Sequence, residues 1–169
     1  MLPKVNFNSV AAIAAKNPIH VTTHDKRLLE DLIAEASVIR SDRPGNLHAL
    51  AEELRRAVIV EPQHVPSDVI TMNSRAEMFD LDTAEKVTFT LVFPSQANVD
   101  EEKISVLAPI GAGMLGYRVG DEFEWQVPSG IRRMRVTKIH YQPEAARNYQ
   151  DGNKADSPVT NSSIQGNHL

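Results

Sequence analysis

The strongest constraint on the fold is a change of apolar period within the chain. Up to about residue 58 apolar residues recur three and four apart, as on a helix; from Asp68 they alternate, as on a strand. Between the two regimes lies "PQHVP" at residues 62–66, where Pro62 and Pro66 fix the backbone and stiffen the join. Such a chain sets a helical part against a β-rich part.

The helical part opens on "TTHDKRLLEDLIAEAS", where Thr22 and Asp25 stand in a capping-box arrangement. Leu28, Leu29, Leu32, Ile33 and Ala36 then mark one helix face, and Leu47, Leu50, Ala51, Leu54, Ala57 and Val58 mark a second. "RSDRPGN" lies between them, and Pro44 and Gly45 predict a turn there. Two helices of about 14 residues form an antiparallel αα-hairpin, a short coiled coil with arms of roughly 20 Å. Its charged residues, from Glu30 and Asp31 to Arg55 and Arg56, mostly face water.

Downstream, "KVTFTLVF" places Val87, Phe89, Leu91 and Phe93 on one face, and "DEFEWQV" does the same with Phe123, Trp125 and Val127. "VITMNSRAEMFDL" and "IRRMRVTKIHY" are further strand candidates, and "PSG" at 128–130 is a hairpin turn. The expectation is α+β: a helical hairpin over 19–61 and an antiparallel β-domain over 62–147. Residues 1–18 form an extension, and the polar composition beyond Tyr141 predicts fading order, with a disordered tail over 148–169.

A formal net charge of −4 argues against coating nucleic acid by bulk electrostatics, and the absence of Cys excludes disulfides and thiolate chemistry. No apolar run reaches the roughly 20 residues of a membrane span. Asn6, Asn8 and Ser9 interrupt the one stretch with a signal-peptide flavour, so a cytoplasmic chain without a membrane partner is expected.

The Gly-rich stretch "ISVLAPIGAGMLGYRVG" at 104–120 invites a phosphate-cradle reading. It lacks the Lys-Ser/Thr of a P-loop and the parallel βαβ unit of a dinucleotide site. A short helix over about Ile110–Leu115 fits better, with Pro109 in its first turn, Gly116 after its end and Gly113 permitting close packing. His20 and His24 are four apart, but no carboxylate joins them and the other His residues are scattered, so no metal ligand set is expected. Arg132, Arg133 and Arg135 read as a solvated strand face. No nucleophile elbow or Glu/His base pair is present, so no catalytic residue is assigned. Asp42, in "SDRPG", reads as ordinary turn chemistry.

Taken in order, "VPSDVITMNS", "LVFPSQA", "ISVLAPIGAGMLGYRVGDEFEWQVPSG" and "VTKIHYQPEA" resemble the bacterial regulators of nucleoside diphosphate kinase, members of the Gre transcript-elongation-factor superfamily. The resemblance covers about Ile19 to Ala146. It implies an FKBP-like β-domain that docks at the mouth of the secondary channel of bacterial RNA polymerase, with a helical hairpin entering the channel. In Gre factors acidic residues at the hairpin tip help hold a metal ion for cleavage of backtracked RNA.

Two departures change that expectation. The arm is shorter than a Gre arm, and its tip offers Asp42 alone, flanked by Arg40 and Arg43. One carboxylate beside two cations is a poor Mg²⁺ ligand set. The resemblance therefore implies polymerase binding without transcript cleavage, and regulation of nucleoside diphosphate kinase only indirectly. Against the I-S-x-x-S-P core of the Gre contact loop, Ile104, Ser105 and Pro109 match, Ala108 replaces the Ser and Leu107 the polar residue. Ser105, Leu107, Ala108 and Pro109 are the expected polymerase-binding residues, with Leu107 as an apolar anchor. No cofactor, metal or small-molecule substrate is implied. The alternatives are a Gre-like cleavage stimulator and an FKBP-like peptidyl-prolyl isomerase, for which Phe89, Phe93, Phe123 and Trp125 suit a core better than a pocket wall.

Overall fold

The computed structural model describes residues 18–39, 44–127 and 130–146. The N-terminal extension, the hairpin tip with Arg40, Asp42 and Arg43, the middle of the "PSG" turn and the tail lie outside the described residues.

Strand β1 (His20–Val21) leads into helix α1 (Thr23–Ile39), followed by α2 (Pro44–Arg56) and strand β2 (Val58–Ile59). Thr22 caps α1: its Oγ1 accepts the Asp25 N–H at 3.1 Å and its carbonyl the Lys26 N–H at 3.0 Å. Leu29 and Ala36 are buried, with Leu32 and Ile33 packed beside them. Leu28, one residue off that stripe, is 37 % exposed, because a single step turns the helix by about 100°.

Pro44 opens α2 and does not sit in the turn, since a Pro at the first helical position sacrifices no intrahelical bond. The second apolar stripe also stops early. Leu50 and Leu54 are buried, but Val58 belongs to β2, where its N–H reaches the Ile19 carbonyl at 2.9 Å. β1 and β2 run parallel.

A 3-10 turn at Pro62–His64 fills the junction. "VITMNS" then folds as a turn and not as strand: Thr71 N–H donates to Ser74 Oγ at 3.0 Å, and Asn73 has a left-handed φ of 62°. Strand β3 (Arg75–Asp80) starts only at Arg75, followed by β4 (Lys86–Val92), β5 (Lys103–Ser105), helix α3 (Pro109–Met114), β6 (Glu122–Val127) and β7 (Gly130–Tyr141). Phe93 lies just past β4 and begins a 3-10 turn.

The main sheet has the order β5-β4-β3-β7-β6. It is mixed, which corrects the expectation of a wholly antiparallel sheet: β5 pairs with β4 in parallel, Leu91 opposite Ile104. Two 3-10 turns, Pro94–Gln96 and Val99–Glu101, carry the chain back along β4 without the usual helix.

One apolar cluster joins both parts of the chain. Leu29, Leu50 and Leu54 of the helices share it with Met72, Met78, Leu91, Val106, Met114, Phe123, Met134 and Val136. Each such side chain contributes about 1.5–3 kcal/mol by leaving water. The described residues also run past Tyr141 to Ala146, inside the expected 62–147 domain. Gln142 Nε2 donates to the Pro66 and Val69 carbonyls, both at 2.8 Å, and Glu144 accepts from Thr71 Oγ1 at 2.8 Å. These polar residues are buried because their partners are supplied by the junction.

Asp80 fixes the β3–β4 turn in a comparable way. Its Oδ1 accepts the N–H groups of Asp82 and Thr83 at 2.9 and 3.0 Å, and its Oδ2 accepts Arg132 Nη1 at 3.0 Å. Burial pushes its carboxyl up, but the Thr83 and Asp82 amides and the Arg132 guanidinium outweigh this and hold it below its ordinary value. Its stabilisation is therefore present above the unfolded carboxylate range and lost as pH falls through the lowered folded value. Asp80→Ala should cost about 2 kcal/mol in urea unfolding at neutral pH. The gap to the parent chain should shrink below about pH 4.

Candidate protein-docking site

The residues expected to face a partner fall on one tight turn. Ser105 ends β5, and its Oγ accepts the Leu107 N–H at 3.1 Å while its carbonyl accepts the Ala108 N–H at 2.9 Å. Between them Val106 turns inward, fully buried, with its N–H on the Val92 carbonyl at 2.9 Å. Ala108 is the N-cap of α3 in extended conformation, and Pro109 takes the first helical position. The turn therefore keeps its hydrogen bonds to itself. It offers a half-buried Leu107, whose inner side packs on the core cluster, and an exposed Pro109.

Helix α3 holds the turn against the sheet through glycine. A Cβ on Gly111 would fall 2.0 Å from the Ser105 carbonyl oxygen, so the helix lies directly on the end of β5. Gly113, the expected close-packing position, is less tight: a Cβ there would meet the Phe123 ring at 3.3 Å. Gly116 follows the helix with a φ of +78°, and a Cβ there would overlap Ile19 Cγ2 at 2.0 Å. Sequence reasoning gave the close packing to Gly113 and no such role to Gly111, because the approach of β5 is a long-range fact.

At the far end of α3 an open cleft of about 240 Å³ is lined by Pro18, His20, Val58, Val69, Gly116, Arg118 and Asp121. Nothing in the sequence marked it. Both Asp68 oxygens grip Arg118, at 3.0 Å to Nε and 2.8 Å to Nη2, and hold the Asp68 carboxyl below its ordinary range. Asp121 Oδ2 accepts the Arg118 N–H at 2.9 Å. Tyr117 beside it is pushed up to about 12, chiefly by burial and then by the charges of Glu53 and Asp121.

The other candidates settle into structural roles. Arg132 pairs with Asp80, Arg133 with Asp82 at 3.1 Å, and Arg135 with Glu122 at 2.5 Å. Phe123 stacks on Tyr117 with ring centroids 4.9 Å apart, while Phe89 and Phe93 pack against the core. Among the described residues no group of three or more His, Asp or Glu could hold a metal ion. No described helix is long and apolar enough to cross a membrane.

Comparison with known proteins agrees with this architecture. Residues 65–141 match the family described as transcription elongation factor, GreA/GreB, C-terminal domain. The chain is 39% identical over 128 residues to the regulator of nucleoside diphosphate kinase of Escherichia coli K12, covering 72% of this chain and 94% of that protein. It is 34% identical over 97 residues to the transcription elongation factor GreA of Syntrophotalea carbinolica, covering 57% of this chain and 61% of the relative. A solved structure of a GreA/GreB elongation factor from Nitrosomonas europaea superposes with a TM-score of 0.63 at 36% identity, covering 73% of this chain and 99% of that one. The short helical part, the mixed sheet and the α3 turn are thus those of a known lineage: the chain belongs to the family of regulators of nucleoside diphosphate kinase, within the Gre superfamily.

Proposed function

We propose that this chain is a transcription regulator that docks on bacterial RNA polymerase at the rim of the secondary channel and competes there with Gre-type factors. The Ser105–Pro109 turn carries the reading. Its polar backbone is largely spent on internal bonds, so it offers a helical rim an apolar contact through Leu107 and Pro109, with Ser105 and Ala108 setting its shape. The β-domain over 62–147, FKBP-like in character, is the docking unit, and the coiled-coil hairpin over 19–61 enters the channel.

The hairpin does not stimulate transcript cleavage. Helices of 17 and 13 residues span about 25 and 20 Å, and Asp42 between Arg40 and Arg43 gives a metal ion one partly neutralised carboxylate. The chain carries no catalytic residue of its own. Its effect on nucleoside diphosphate kinase is indirect, through transcription.

Displacement of a labelled Gre factor from core polymerase tests the reading. Micromolar chain should displace the factor, and Pro109→Arg, a change at an exposed position, should weaken displacement roughly tenfold. Leu107→Asp should do the same, with circular dichroism controlling for its half-buried site. Absence of competition sinks the proposal. On stalled elongation complexes no added cleavage is expected, and cleavage would overturn the non-cleaving half alone.

A further inference from the structure

We infer that the cleft at the base of the hairpin is a docking groove for a basic, extended polypeptide segment, which adds to β2 as a third strand. Three observations converge on it. Among the described residues β2 has β1 on one side only, in a sheet of two strands. The N–H groups of Val58 and Val60 are taken by the Ile19 and Val21 carbonyls at 2.9 and 3.0 Å. By strand alternation, the Ile59 N–H and C=O and the Glu61 N–H point to the open side. A free edge of this kind is a template for an incoming strand.

The second observation is shape. Val58 and Ile59 are 42% and 52% exposed on this edge, and Val119 on the neighbouring turn is 43% exposed. Val58 and Val69 wall the cleft of about 240 Å³, which is large enough to take one side chain of an alternating peptide. Singly exposed apolar residues are ordinary; Val58 in the cleft wall, with Ile59 on the same free edge and Val119 next to Arg118 of the cleft, make a surface.

Charge selects the occupant. Asp121 lines the cleft, Glu61 follows β2 in the chain, and Arg118, the one Lys or Arg among the described lining residues, is already held by both Asp68 oxygens. His20 lines the same cleft, while Arg55 and Arg56 at the end of α2 are paired with Glu52 and Glu53. The rim therefore carries net negative charge and favours Lys or Arg at alternate positions of the incoming strand.

The test is an NMR titration of the isotope-labelled full chain with the peptide acetyl-KVKVK-amide, with acetyl-EVEVE-amide as control. Saturable shifts are expected at the amides of Ile59, Glu61 and Val119 with the basic peptide only. Asp121→Lys should weaken binding roughly tenfold by reversing a rim charge. Ile59→Pro should abolish it while sparing the β1 ladder, which does not use the Ile59 N–H. Pro109→Arg should leave the titration unchanged, which separates this groove from the polymerase-docking turn. The inference is overturned by absence of shifts, an equal response to the acidic peptide, or parent-like binding by both groove variants. Concentration-dependent sedimentation showing a second copy seated on β2 would overturn it as well.

Discussion

Gly111→Ala should unfold at markedly lower denaturant than the parent chain, by about 3 kcal/mol, and should lose polymerase competition with it. The added methyl would lie 2.0 Å from the Ser105 carbonyl oxygen and 2.9 Å from its carbon. That neighbour is backbone, already bonded to the Ala108 N–H at 2.9 Å, so it cannot step aside as a side chain could. Either α3 lifts off β5 or the Ser105–Pro109 turn opens, and both displace Leu107 and Pro109. Gly113→Ala is the internal control. Its methyl would meet the edge of the Phe123 ring at 3.3 Å, and Ala favours the helix by up to about 1 kcal/mol, so stability should change by less than about 1 kcal/mol. If urea melts show the two variants equal, the close seating of α3 on β5 is wrong.

Gly116→Ala should be comparably damaging for a different reason. The residue has a φ of +78°, which an L side chain adopts at a cost of roughly 1 kcal/mol, and its methyl would overlap the buried Ile19 side chain at 2.0 Å. Ile19 supplies the carbonyl that receives the Val58 N–H, so expelling it also loosens β1 from β2. A total of about 3 kcal/mol is expected. The double variant with Ile19→Ala should be more stable than additivity allows, because the Cγ2 at 2.0 Å is gone, although the Ile19 Cβ at 2.5 Å must still shift. Strict additivity in chemical denaturation would show that Ile19 does not sit over Gly116.

Much of the fold was legible because the determinants are local. The Thr22 cap, the Leu29–Leu32–Ile33 stripe and the short α3 helix that Pro109 opens each rest on residues within a few positions of one another. The failures share a cause of the opposite kind. Val58 continues the α2 stripe by spacing, yet Ile19, far back in the chain, captures its N–H for a strand. The parallel seating of β5 on β4 depends on two 3-10 turns that no period reveals. The burial of Gln142 and Glu144 depends on partners at Pro66, Val69 and Thr71, which polar composition does not reveal.

The site divides along the same line. The Ser105–Pro109 turn was singled out by its resemblance to the Gre contact loop, and its conformation is local, set by bonds to Ser105. The cleft was invisible, because Pro18, Val58, Val69 and Arg118 meet only after the sheet and hairpin have closed on each other.

The central place of β3, between β4 and β7, has a consequence for the chain during its synthesis. β4 follows β3 directly, but β7 is the last of the described strands, and Gln142 and Glu144 beyond it tie the junction shut. On the ribosome β3, β4 and the short β5 can pair first, which leaves the other side of β3 open until β7 arrives. Slow pairing between distant segments leaves that side exposed until β7 has been made. Its alternation of Glu77 and Lys86 with apolar residues, paired at 3.0 Å on the water-facing side, keeps that waiting edge charged and averse to neighbouring nascent chains.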